Sequence, residues 1–285
     1  MSIQFKNVSY EYSPNTPFAY LALKNVNLNI RQGVMTAIVG ATGSGKSTLV
    51  QQLNALLVPT SGQLVVDDKV VYSDRKNTGL KALREKVGLV FQFPEAQLFE
   101  ETILKDVMFG PLNFQKTPQE AEQLAKNALK LVNIDEELYD QSPLDLSGGQ
   151  KRRVAIAGIL ALNPDILVCD EPTAGLDPQG QIQMMNLFER FKQQEDKSVI
   201  LVTHDLQDVL DYADDVVVMQ KGEVIFHDSK EKFFNQDGLL EEIQNVLPKV
   251  IQFRQALNKR GFNISDSVTT LDQLVYEISK EIDYE

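Results

Sequence analysis

Alternating apolar and polar positions near the start of the chain predict β-strands. Residues 3–12 and 23–30 alternate with a period of two, and residues 62–67 form a further short apolar run. A half-buried strand has this period because successive side chains point to opposite faces of a sheet. Met35–Val39 is apolar, as in a strand buried on both faces, and residues 48–57 follow it with a helical pattern. The first ninety residues therefore predict antiparallel strands around one core strand and helix.

The pattern becomes helical after residue 92. Residues 117–120 read Thr-Pro-Gln-Glu, which is typical of a helix start, and an amphipathic stretch follows at residues 121–132. A further helix is predicted at residues 150–162. Strands that alternate with helices predict a parallel α/β core, interrupted here by a helical subdomain at about residues 93–160. The predicted strands of this core and its edge are residues 87–92, 166–169, 199–202 and 216–219.

The last part of the chain predicts a small helical extension at residues 230–285, after a main domain at residues 1–229. Pro248 and Gly261 bracket one predicted helix, and residues 270–273 form a capping box that begins another. The second predicted helix has an apolar stripe that must be buried. It can pack against the chain's own core or against a second subunit in a dimer, and the pattern favours neither. The apolar stripe consists of Leu271, Leu274, Val275, Ile278 and Ile282.

Composition narrows the class of protein. The 285 residues are 43% hydrophobic and carry 28 basic and 40 acidic side chains, which gives a net charge of −12. This balance argues against nucleic acid as a partner, because a phosphate backbone is itself negative. The first residues lack the features of a signal peptide, no apolar run approaches the ~18 residues that span a bilayer, and Cys169 is the single cysteine. These features predict a cytoplasmic protein without an internal disulfide.

Residues 40–48 read Gly-Ala-Thr-Gly-Ser-Gly-Lys-Ser-Thr and match the phosphate-binding loop pattern, between the predicted core strand and its helix. Glycines allow consecutive backbone N–H groups to face phosphate oxygens, and the helix N-terminus adds partial positive charge. Lys46 can reach the β- and γ-phosphates, and Ser47 can offer its hydroxyl to Mg²⁺. The predicted nucleotide contacts in this loop are Gly40, Thr42, Gly43, Ser44, Gly45, Lys46, Ser47 and Thr48.

A later apolar strand ends in two carboxylates, Asp170 and Glu171. Successive side chains of an extended strand point in opposite directions, so the two groups can have different tasks. We expect Asp170 to serve the Mg²⁺ shell and Glu171 to orient or deprotonate an attacking water. The pair therefore predicts hydrolysis of the bound nucleotide as well as its binding.

A second candidate anion site consists of Ser147, Gly148, Gly149 and Gln150, where a helix start offers backbone N–H groups and a hydroxyl. Two phosphate-binding sites in one chain make sense if the second binds a nucleotide held by a partner chain. The loop, this signature and the carboxylate pair occur in the order and approximate spacing found in ATP-binding-cassette (ABC) ATPases. The chain resembles that family.

The resemblance implies ATP and Mg²⁺ as ligands and assigns roles to further residues. Gln92 matches the family's glutamine that binds Mg²⁺ and water and senses a membrane partner. Asp177 matches a loop that crosses the dimer interface, and His204 matches the histidine that contacts the γ-phosphate. Three aromatic residues compete to stack on adenine, and the first has the family's position: Tyr12, Phe18 and Tyr20.

Residues 91–111 narrow the resemblance to the energy-coupling-factor (ECF) transporter ATPases, and Thr42, the loop at residues 13–18 and the C-terminal extension fit the same group. The resemblance implies a peripheral protein at the cytoplasmic face of the membrane, in a heterodimer with a second ABC ATPase subunit that is usually a paralogue. It also implies a transmembrane coupling protein and a membrane-embedded component that binds the substrate, a vitamin or a transition-metal ion. The predicted docking stretch is an apolar floor rimmed by acids: Phe93, Leu98 and Phe99 with Glu95, Glu100 and Glu101.

Two other classes of protein are alternatives. A soluble ABC ATPase of DNA repair or translation carries long coiled-coil insertions or two cassettes in tandem, and the sequence has neither. A regulator that binds ATP without cleaving it is disfavoured because Glu171 and His204 are both present.

Overall fold

Two β-sheets form the centre of the fold in the computed structural model, which describes residues 3–195, 197–236, 238–239 and 246–282. Within these residues the strands are β1 (Ile3–Tyr12), β2 (Tyr20–Ile30), β3 (Met35–Val39), β4 (Ser61–Val66), β5 (Lys69–Tyr72), β6 (Val87–Val90), β7 (Ile166–Asp170), β8 (Ser198–Val202), β9 (Asp215–Gln220) and β10 (Glu223–Ser229). The helices are α1 (Lys46–Leu53), α2 (Leu80–Lys86), α3 (Ile103–Asn113), α4 (Pro118–Leu131), α5 (Gly148–Leu160), α6 (Pro178–Lys192), α7 (Leu206–Tyr212), α8 (Lys230–Phe234), α9 (Lys249–Asn258) and α10 (Leu271–Ile282). Short 3₁₀ turns lie at Pro94–Gln97, Glu136–Leu138 and Pro143–Asp145.

The first sheet is antiparallel and has the strand order β2-β1-β4-β5. Its β1–β2 hairpin sets Tyr12 directly opposite Tyr20 at the end next to the connecting loop. The sheet confirms the predicted antiparallel region. Strand β5 and helix α2 are not among the predicted elements, because segments of 4 and 7 residues are too short to display a clear period.

The second sheet has the order β10-β9-β3-β8-β7-β6, and its strands are parallel except for β10. Strands β3, β7 and β8 are buried along their whole length, which explains their unbroken apolar sequences. The predicted parallel α/β core is confirmed. Because parallel strands end at the same edge of a sheet, the loops after β3, β6, β7 and β8 meet there.

The two faces of the parallel sheet pack against different layers. One face, which includes Ile38 and Val168, shares a core with the antiparallel sheet and α1. The other face is covered by α3, α4, α5 and α6 around Leu167. Helices from α7 to α10 cover the rest of that face around Ala37 and Val39.

Helices α3, α4 and α5 form the helical stretch that the sequence predicts between β6 and β7. Thr117 begins α4 with a capping box, in which its hydroxyl accepts the N–H of Glu120 while the Glu120 carboxylate accepts the N–H of Thr117. Ser147 and Gln150 form the same box at the start of α5. Each box satisfies two N–H groups that have no partner inside the helix.

Helix α1 and strand β6 have other boundaries than those predicted. Helix α1 begins at Lys46, inside the phosphate loop, and ends at Leu53 rather than at residue 57. The chain turns there, with a positive φ of 53° at Ala55. Strand β6 ends at Val90, so Gln92 lies in the following loop rather than in the strand.

The C-terminal helices pack on their own chain, but only in part. Leu274 is 3% exposed in the core around α7 to α10, and Ile278 packs against that core. Leu271 and Val275 are 64% and 65% exposed, so the chain's own core does not cover them, and their cover by a second subunit stays a prediction. Positions 274 and 278 share one line along the helix and positions 271 and 275 the adjacent line, and the core covers only the first. The side chain of Ile282 lies outside the described residues.

The guanidinium of Arg254 joins separate segments of the extension to one another. It donates hydrogen bonds to the carbonyl oxygens of Asp266 and Val268 and to the side chain of Asn235. In the described parts of the chain, no helix is both long and apolar enough to cross a membrane.

Candidate nucleotide-binding site

A cavity of about 330 Å³ lies at the carboxyl edge of the parallel sheet, over the loop that joins β3 to α1. Its wall combines this loop with the start of β2 and with the loops after β6 and β7. The lining residues are Tyr20, Ala22, Thr42, Gly43, Gly45, Lys46, Ser47, Thr48, Gln92 and Glu171.

Two glycines allow the phosphate loop to lie close against neighbouring backbone. A Cβ atom on Gly40, which has a φ of 149°, would stand 2.2 Å from the carbonyl oxygen of Met219. A Cβ atom on Gly45, with a φ of 104°, would stand 2.7 Å from the carbonyl oxygen of Ala22. Both positions therefore require glycine for space as well as for backbone conformation. Between them, the hydroxyl of Ser44 is buried and has no hydrogen-bond partner among the described residues.

The ammonium group of Lys46 lies within the curve of the loop. Its Nζ donates to the carbonyl oxygens of Gly40 at 2.8 Å and Ala41 at 3.1 Å, and the side chain is buried. Burial lowers the pKa of Lys46, and the nearby charges of Glu171 and Asp170 act in the opposite direction. A phosphate bound in the cavity would supply the negative charge that this buried cation needs.

Asp170 is the buried end of β7 and contacts the first turn of α1. Burial raises the pKa of Asp170, the hydrogen bond from the Ser47 hydroxyl and the charge of Lys46 lower it, and the charge of Glu171 raises it further. The Ser47 and Asp170 oxygens are thus adjacent at the base of the cavity. Groups of three or more acidic, histidine or cysteine side chains with metal-binding geometry do not occur in the described residues.

Glu171 lies between Gln92 and His204 at the edge of the sheet. The Gln92 amide nitrogen donates to Glu171 Oε2 at 2.8 Å, and His204 Nδ1 stands 3.7 Å from Glu171 Oε1. Glu171 lies beyond the end of β7 with a φ of 48°, and its N–H donates to the carbonyl oxygen of Val202. A left-handed turn, rather than the strand pleat that the sequence suggested, therefore separates its direction from that of Asp170.

The signature residues and Asp177 are not among the lining residues of this cavity. Ser147 and Gln150 cap α5, with Ser147 Oγ donating to Gln150 Oε1 at 2.9 Å, and Gly148 and Gly149 form the first turn. Asp177 caps α6 by accepting the N–H of Gly180 at 2.8 Å. Within one chain these residues therefore serve as helix caps, and the phosphate loop is not their partner.

The three candidate aromatic residues occupy different surroundings. The Tyr12 hydroxyl lies 3.1 Å from Thr48 Oγ1 in a hydrogen bond. Phe18 is 84% exposed in the loop between β1 and β2. Tyr20 is the one of the three that lines the cavity.

Sequence reasoning missed Arg152 on α5. The guanidinium is almost fully buried and forms a two-point contact with the Glu95 carboxylate, at 3.0 Å from Nε and 2.8 Å from Nη2. Its Nη1 also donates to the carbonyl oxygens of Pro172 and Ala174, which follow Glu171. Glu95, which the sequence predicts on the rim of the docking stretch, therefore has both carboxylate oxygens bonded inside the chain. The only hint in the sequence was that Arg152 falls among the apolar, inward-facing positions of helix α5.

Asp208 on α7 is a second residue, after Arg152, that no sequence motif identified. Burial raises the pKa of Asp208 to about 6, the charges of Asp205 and Asp211 add to the shift, and His204 and a hydrogen bond from the Thr173 side chain oppose it. This carboxylate thus links the loop after Glu171 to the segment that carries His204.

A groove of about 380 Å³ runs along the helical stretch, next to the loop that carries Gln92. Phe99 and Phe109 form its aromatic wall, with ring centroids 4.9 Å apart in an edge-to-face arrangement. Asp106 shapes the turn beside it, because its carboxylate accepts the N–H groups of Phe99 and Glu100. An exposed apolar surface therefore lies within a few residues of the nucleotide site.

A phosphate loop after the central strand, with carboxylate, glutamine and histidine side chains on neighbouring strand ends, defines a phosphate-loop ATPase. A family model described as ABC transporter matches residues 23–174. The energy-coupling factor transporter ATP-binding protein EcfA2 of Enterococcus faecalis is 48% identical over 99% of this chain and 98% of that protein. The EcfA2 protein of Streptococcus agalactiae is 50% identical over 98% of this chain and 99% of that protein.

Solved structures agree with these relatives. CbiO1 from Clostridium perfringens, part of the ABC transporter complex cbiONQ, has a TM-score of 0.73 and 39% identity over 89% of this chain and 98% of its own. The ATP-binding cassette MJ0796, in a dimeric post-hydrolysis state with ADP and Pi, has a TM-score of 0.70 and 34% identity over 80% of this chain and 98% of its own. The chain therefore belongs to the ABC transporter family, within its group of energy-coupling factor transporter ATP-binding proteins, and is an ATPase subunit of that transporter class. The alternative of DNA repair or translation is not favoured.

Proposed function

We propose that this chain hydrolyses ATP, with Mg²⁺, in a composite site shared with a second and paralogous ATPase subunit. Hydrolysis powers the uptake of a vitamin or a transition-metal ion through a transmembrane coupling protein and a membrane-embedded substrate-binding component. The residues that act on the chain's own nucleotide are residues 40–48, Gln92, Asp170, Glu171 and His204. Those that act on the partner's nucleotide are residues 147–150 and Asp177.

The group formed by Glu171, Gln92 and His204 beside the phosphate loop carries this proposal. One Glu171 oxygen is held by the Gln92 amide and the other faces His204. A carboxylate fixed in this way accepts the proton of a water whose oxygen bonds to the γ-phosphorus. The bond to the β–γ bridging oxygen breaks, and ADP and inorganic phosphate leave. Lys46 and His204 stabilise charge on the phosphate oxygens, and Lys46 exchanges its loop carbonyl contacts for them.

Three oxygen donors beside the cavity fit Mg²⁺, a cation that uses one or two carboxylates and otherwise takes phosphate and water oxygens. They are the Ser47 hydroxyl, the Asp170 carboxylate that it contacts, and the Gln92 amide oxygen, which is left available while the amide nitrogen donates to Glu171. A cation there favours the charged form of Asp170 against the effect of burial. When bound, Mg²⁺ neutralises part of the charge on the phosphate oxygens.

The position of the signature supports a two-chain site. Residues 147–150 begin a helix whose first N–H groups have no partner within it, and they do not border the cavity of their own chain. Each charge-assisted hydrogen bond to a γ-phosphate contributes about 1.5–3 kcal/mol. A few of them reach the about 5.5 kcal/mol that moves an open-to-closed equilibrium from 99:1 to 1:99. ATP therefore closes the pair and hydrolysis reopens it.

Membrane coupling follows from the groove beside Gln92. We assign the groove of Phe99 and Phe109, with Glu100 and Glu101 on its rim, to a cytoplasmic helix of the coupling protein.

Residues 1–229 form the ATPase domain, and residues 230–285 form an extension that contributes to subunit pairing. In this proposed assembly the protein is a peripheral subunit at the cytoplasmic face of the membrane. The names of the relatives, energy-coupling factor transporter, and the membership of CbiO1 in a transporter complex support this assembly.

Glu171→Gln tests the proposal in the complex with the paralogous subunit. The amide keeps the shape of the carboxylate but cannot take the proton, so turnover should fall about 100-fold or more while ATP binding is retained. ATP-bound pairs should accumulate. Glu137→Gln, which changes an exposed glutamate on a 3₁₀ turn, is the matched control and should keep both properties. Wild-type turnover in Glu171→Gln would show that another group takes the proton.

A further inference from the structure

The loop that follows strand β7 is held from two sides. Arg152 on α5 donates hydrogen bonds to the carbonyl oxygens of Pro172 and Ala174. Between these residues lies Thr173, which is only 9% exposed and whose side chain is hydrogen-bonded to the Asp208 carboxylate on α7. One helix therefore holds the backbone of this loop, and a different helix holds a side chain in the middle of it.

Glu171 lies at the start of the same loop, in a backbone conformation that depends on its neighbours. Its φ of 48° is left-handed, which is uncommon for a residue with a side chain. Such a conformation persists only where surrounding contacts maintain it. The N–H of Glu171 donates to the carbonyl oxygen of Val202, and Thr173 is fixed two residues further along the loop. We therefore expect that the loss of the Thr173 contact would let the Glu171 carboxylate change its direction.

Asp208 belongs to the segment that carries His204. It lies four residues further along the chain, on helix α7, and the next residue, Val209, is fully buried in the core. On the other side of the gap, Glu171 Oε1 stands 3.7 Å from His204 Nδ1. The contact between Asp208 and Thr173 therefore joins the two segments a few residues behind the pair that we propose to act at the γ-phosphate.

The charge of Asp208 is unfavourable in these surroundings. Burial raises the pKa of Asp208 to about 6, and the charges of Asp205 and Asp211 add to the shift. Perturbed carboxylates of this kind concentrate at functional sites, where a role in activity outweighs a cost to stability. A charged acceptor also forms a stronger hydrogen bond with a hydroxyl than a neutral acceptor does, so the carboxylate holds Thr173 firmly.

We propose that Asp208 is a positioning residue for hydrolysis, which fixes the loop after Glu171 through Thr173 and thereby sets the distance between the Glu171 carboxylate and His204. The inference rests on the proposed function, because it assumes the roles given there to Glu171 and His204. Asp208 does not line the nucleotide cavity. Since a displacement of about 1 Å in a catalytic arrangement can lower a rate about 100-fold, loss of Asp208 should slow turnover and leave ATP binding unchanged.

Turnover and ATP affinity, measured separately, test this role. Turnover is measured in the pair with the paralogous subunit, and the part of it that Glu171→Gln removes defines the share of this chain. Asp208→Ala should lower that share about tenfold, while the ATP affinity of the full-length chain, measured by calorimetry, stays within about twofold of wild type. Thr173→Val keeps the shape of the side chain without its hydroxyl and should lose as much. The double variant should lose no more than either single variant, because the two residues form one contact.

Two further variants on α7 are controls. Asp208→Asn keeps an oxygen that can accept from Thr173 and should stay within about threefold of wild-type turnover. Asp211→Ala removes an exposed acid from the same helix and should keep full turnover. Asp208→Ala should also unfold close to the wild-type temperature, because the charge cost disappears together with the hydrogen bond. A purely structural role would instead lower the stability together with the turnover.

The possible failures are distinguishable. Wild-type turnover in Asp208→Ala and Thr173→Val, equal losses in Asp208→Asn and Asp208→Ala, or a parallel loss of ATP affinity would each overturn the positioning role. Thr173→Val provides the same test if Asp208→Ala alters the fold. If Glu171→Gln removed no turnover, the proposed function itself would fail, and this inference with it.

Discussion

At the scale of single residues, Arg152 joins three parts of the chain through one guanidinium group. It lies on α5 behind the signature, forms a two-point contact with Glu95 on the 3₁₀ turn before the groove, and donates to the carbonyl oxygens of Pro172 and Ala174. Burial raises the pKa of Glu95, but the hydrogen bonds and charge of Arg152 outweigh this effect and hold it below its usual value. The pair therefore connects the groove, the signature helix and the loop after Glu171.

Arg152→Ala should destabilise the protein by about 2 kcal/mol, less than for a fully buried pair because 25% of the Glu95 side chain is exposed. The loss follows from an unpaired carboxylate and two carbonyl oxygens without a donor. Chemical denaturation measures it. The double variant Arg152→Ala, Glu95→Ala should lose less stability than the two single losses added together. Strict additivity would show that the contact contributes nothing.

Sequence patterns identified some functional residues and not others for a physical reason. Lys46 belongs to a loop in which every position has its own task, so the spacing alone reveals it. Arg152 contacts Glu95 and the loop after Glu171, and the Thr173 side chain bonds to Asp208. These partners are distant along the chain, so no local spacing encodes the contacts. Tyr12 and Tyr20 are opposite each other in the hairpin, and this pairing became visible only in the fold.

At the scale of elements, helix α7 carries an electrostatic cost at neutral pH. Burial disfavours the charge of Asp208, the charges of Asp205 and Asp211 add to this effect, and His204 and Thr173 oppose it. Its pKa is raised from 3.8 to about 6 in the folded state, so the native protein binds more protons than the unfolded chain between these values. The contribution of Asp208 to the free energy of unfolding is therefore fully present below about pH 4 and is lost as the pH rises through about 6.

Asp208→Asn should remove this cost, since the amide oxygen can still accept from Thr173 and carries no charge. We expect a gain of about 1 kcal/mol at pH 7.5, discounted for the solvent-facing part of the side chain. The gain should shrink as pH falls from 7.5 to 5, because the wild-type carboxyl then becomes neutral. Thermal unfolding across this range measures the effect. A gain that does not change with pH would contradict the charge argument.

Helix α10 offers adjacent positions with opposite surroundings. Leu274 is buried in the chain's own core, whereas Val275 is 65% exposed. Leu274→Ala should cost about 2–3 kcal/mol of stability by leaving a cavity. Val275→Asp should leave the stability of the isolated chain nearly unchanged and weaken pairing with the second ATPase subunit. Thermal unfolding measures the stability, and analytical ultracentrifugation measures the pairing. Normal pairing of Val275→Asp would mean that the exposed line of α10 is not part of the interface.

Local sequence signals predicted several element ends well. The capping boxes at Thr117 and Thr270 depend only on residues three positions apart, and both have their reciprocal hydrogen bonds. The direction of Glu171 could not be predicted in this way. Its positive φ is compatible with the backbone bond to Val202, which comes from a strand far along the chain.

At the scale of the whole molecule, the loop between Gln92 and Glu100 joins the nucleotide site to the groove of Phe99 and Phe109. Gln92 contacts Glu171 at one end, and the turn at Phe99 and Glu100 is fixed by Asp106 at the other. Movement of Gln92 when nucleotide binds can therefore reach a helix held in the groove. In the predicted docking stretch Glu95 is bonded to the buried Arg152, whereas Glu101 is bonded to the exposed Lys105. Glu100 and Glu101 are therefore the acids that we predict to meet basic side chains of a partner.

The double variant Glu100→Lys, Glu101→Lys should separate hydrolysis from transport. Like charges opposed across an interface can cost several kcal/mol, so the coupling protein should co-purify poorly and uptake into reconstituted vesicles should fall. The isolated ATPase pair should keep its turnover, because Lys46, Glu171 and His204 are unchanged. Glu136→Lys, Glu137→Lys is a matched control: it also reverses two consecutive glutamates, one of them paired with a lysine as Glu101 is with Lys105. Equal losses in both variants would reflect net charge alone, and normal co-purification and uptake in the first would place the docking surface elsewhere.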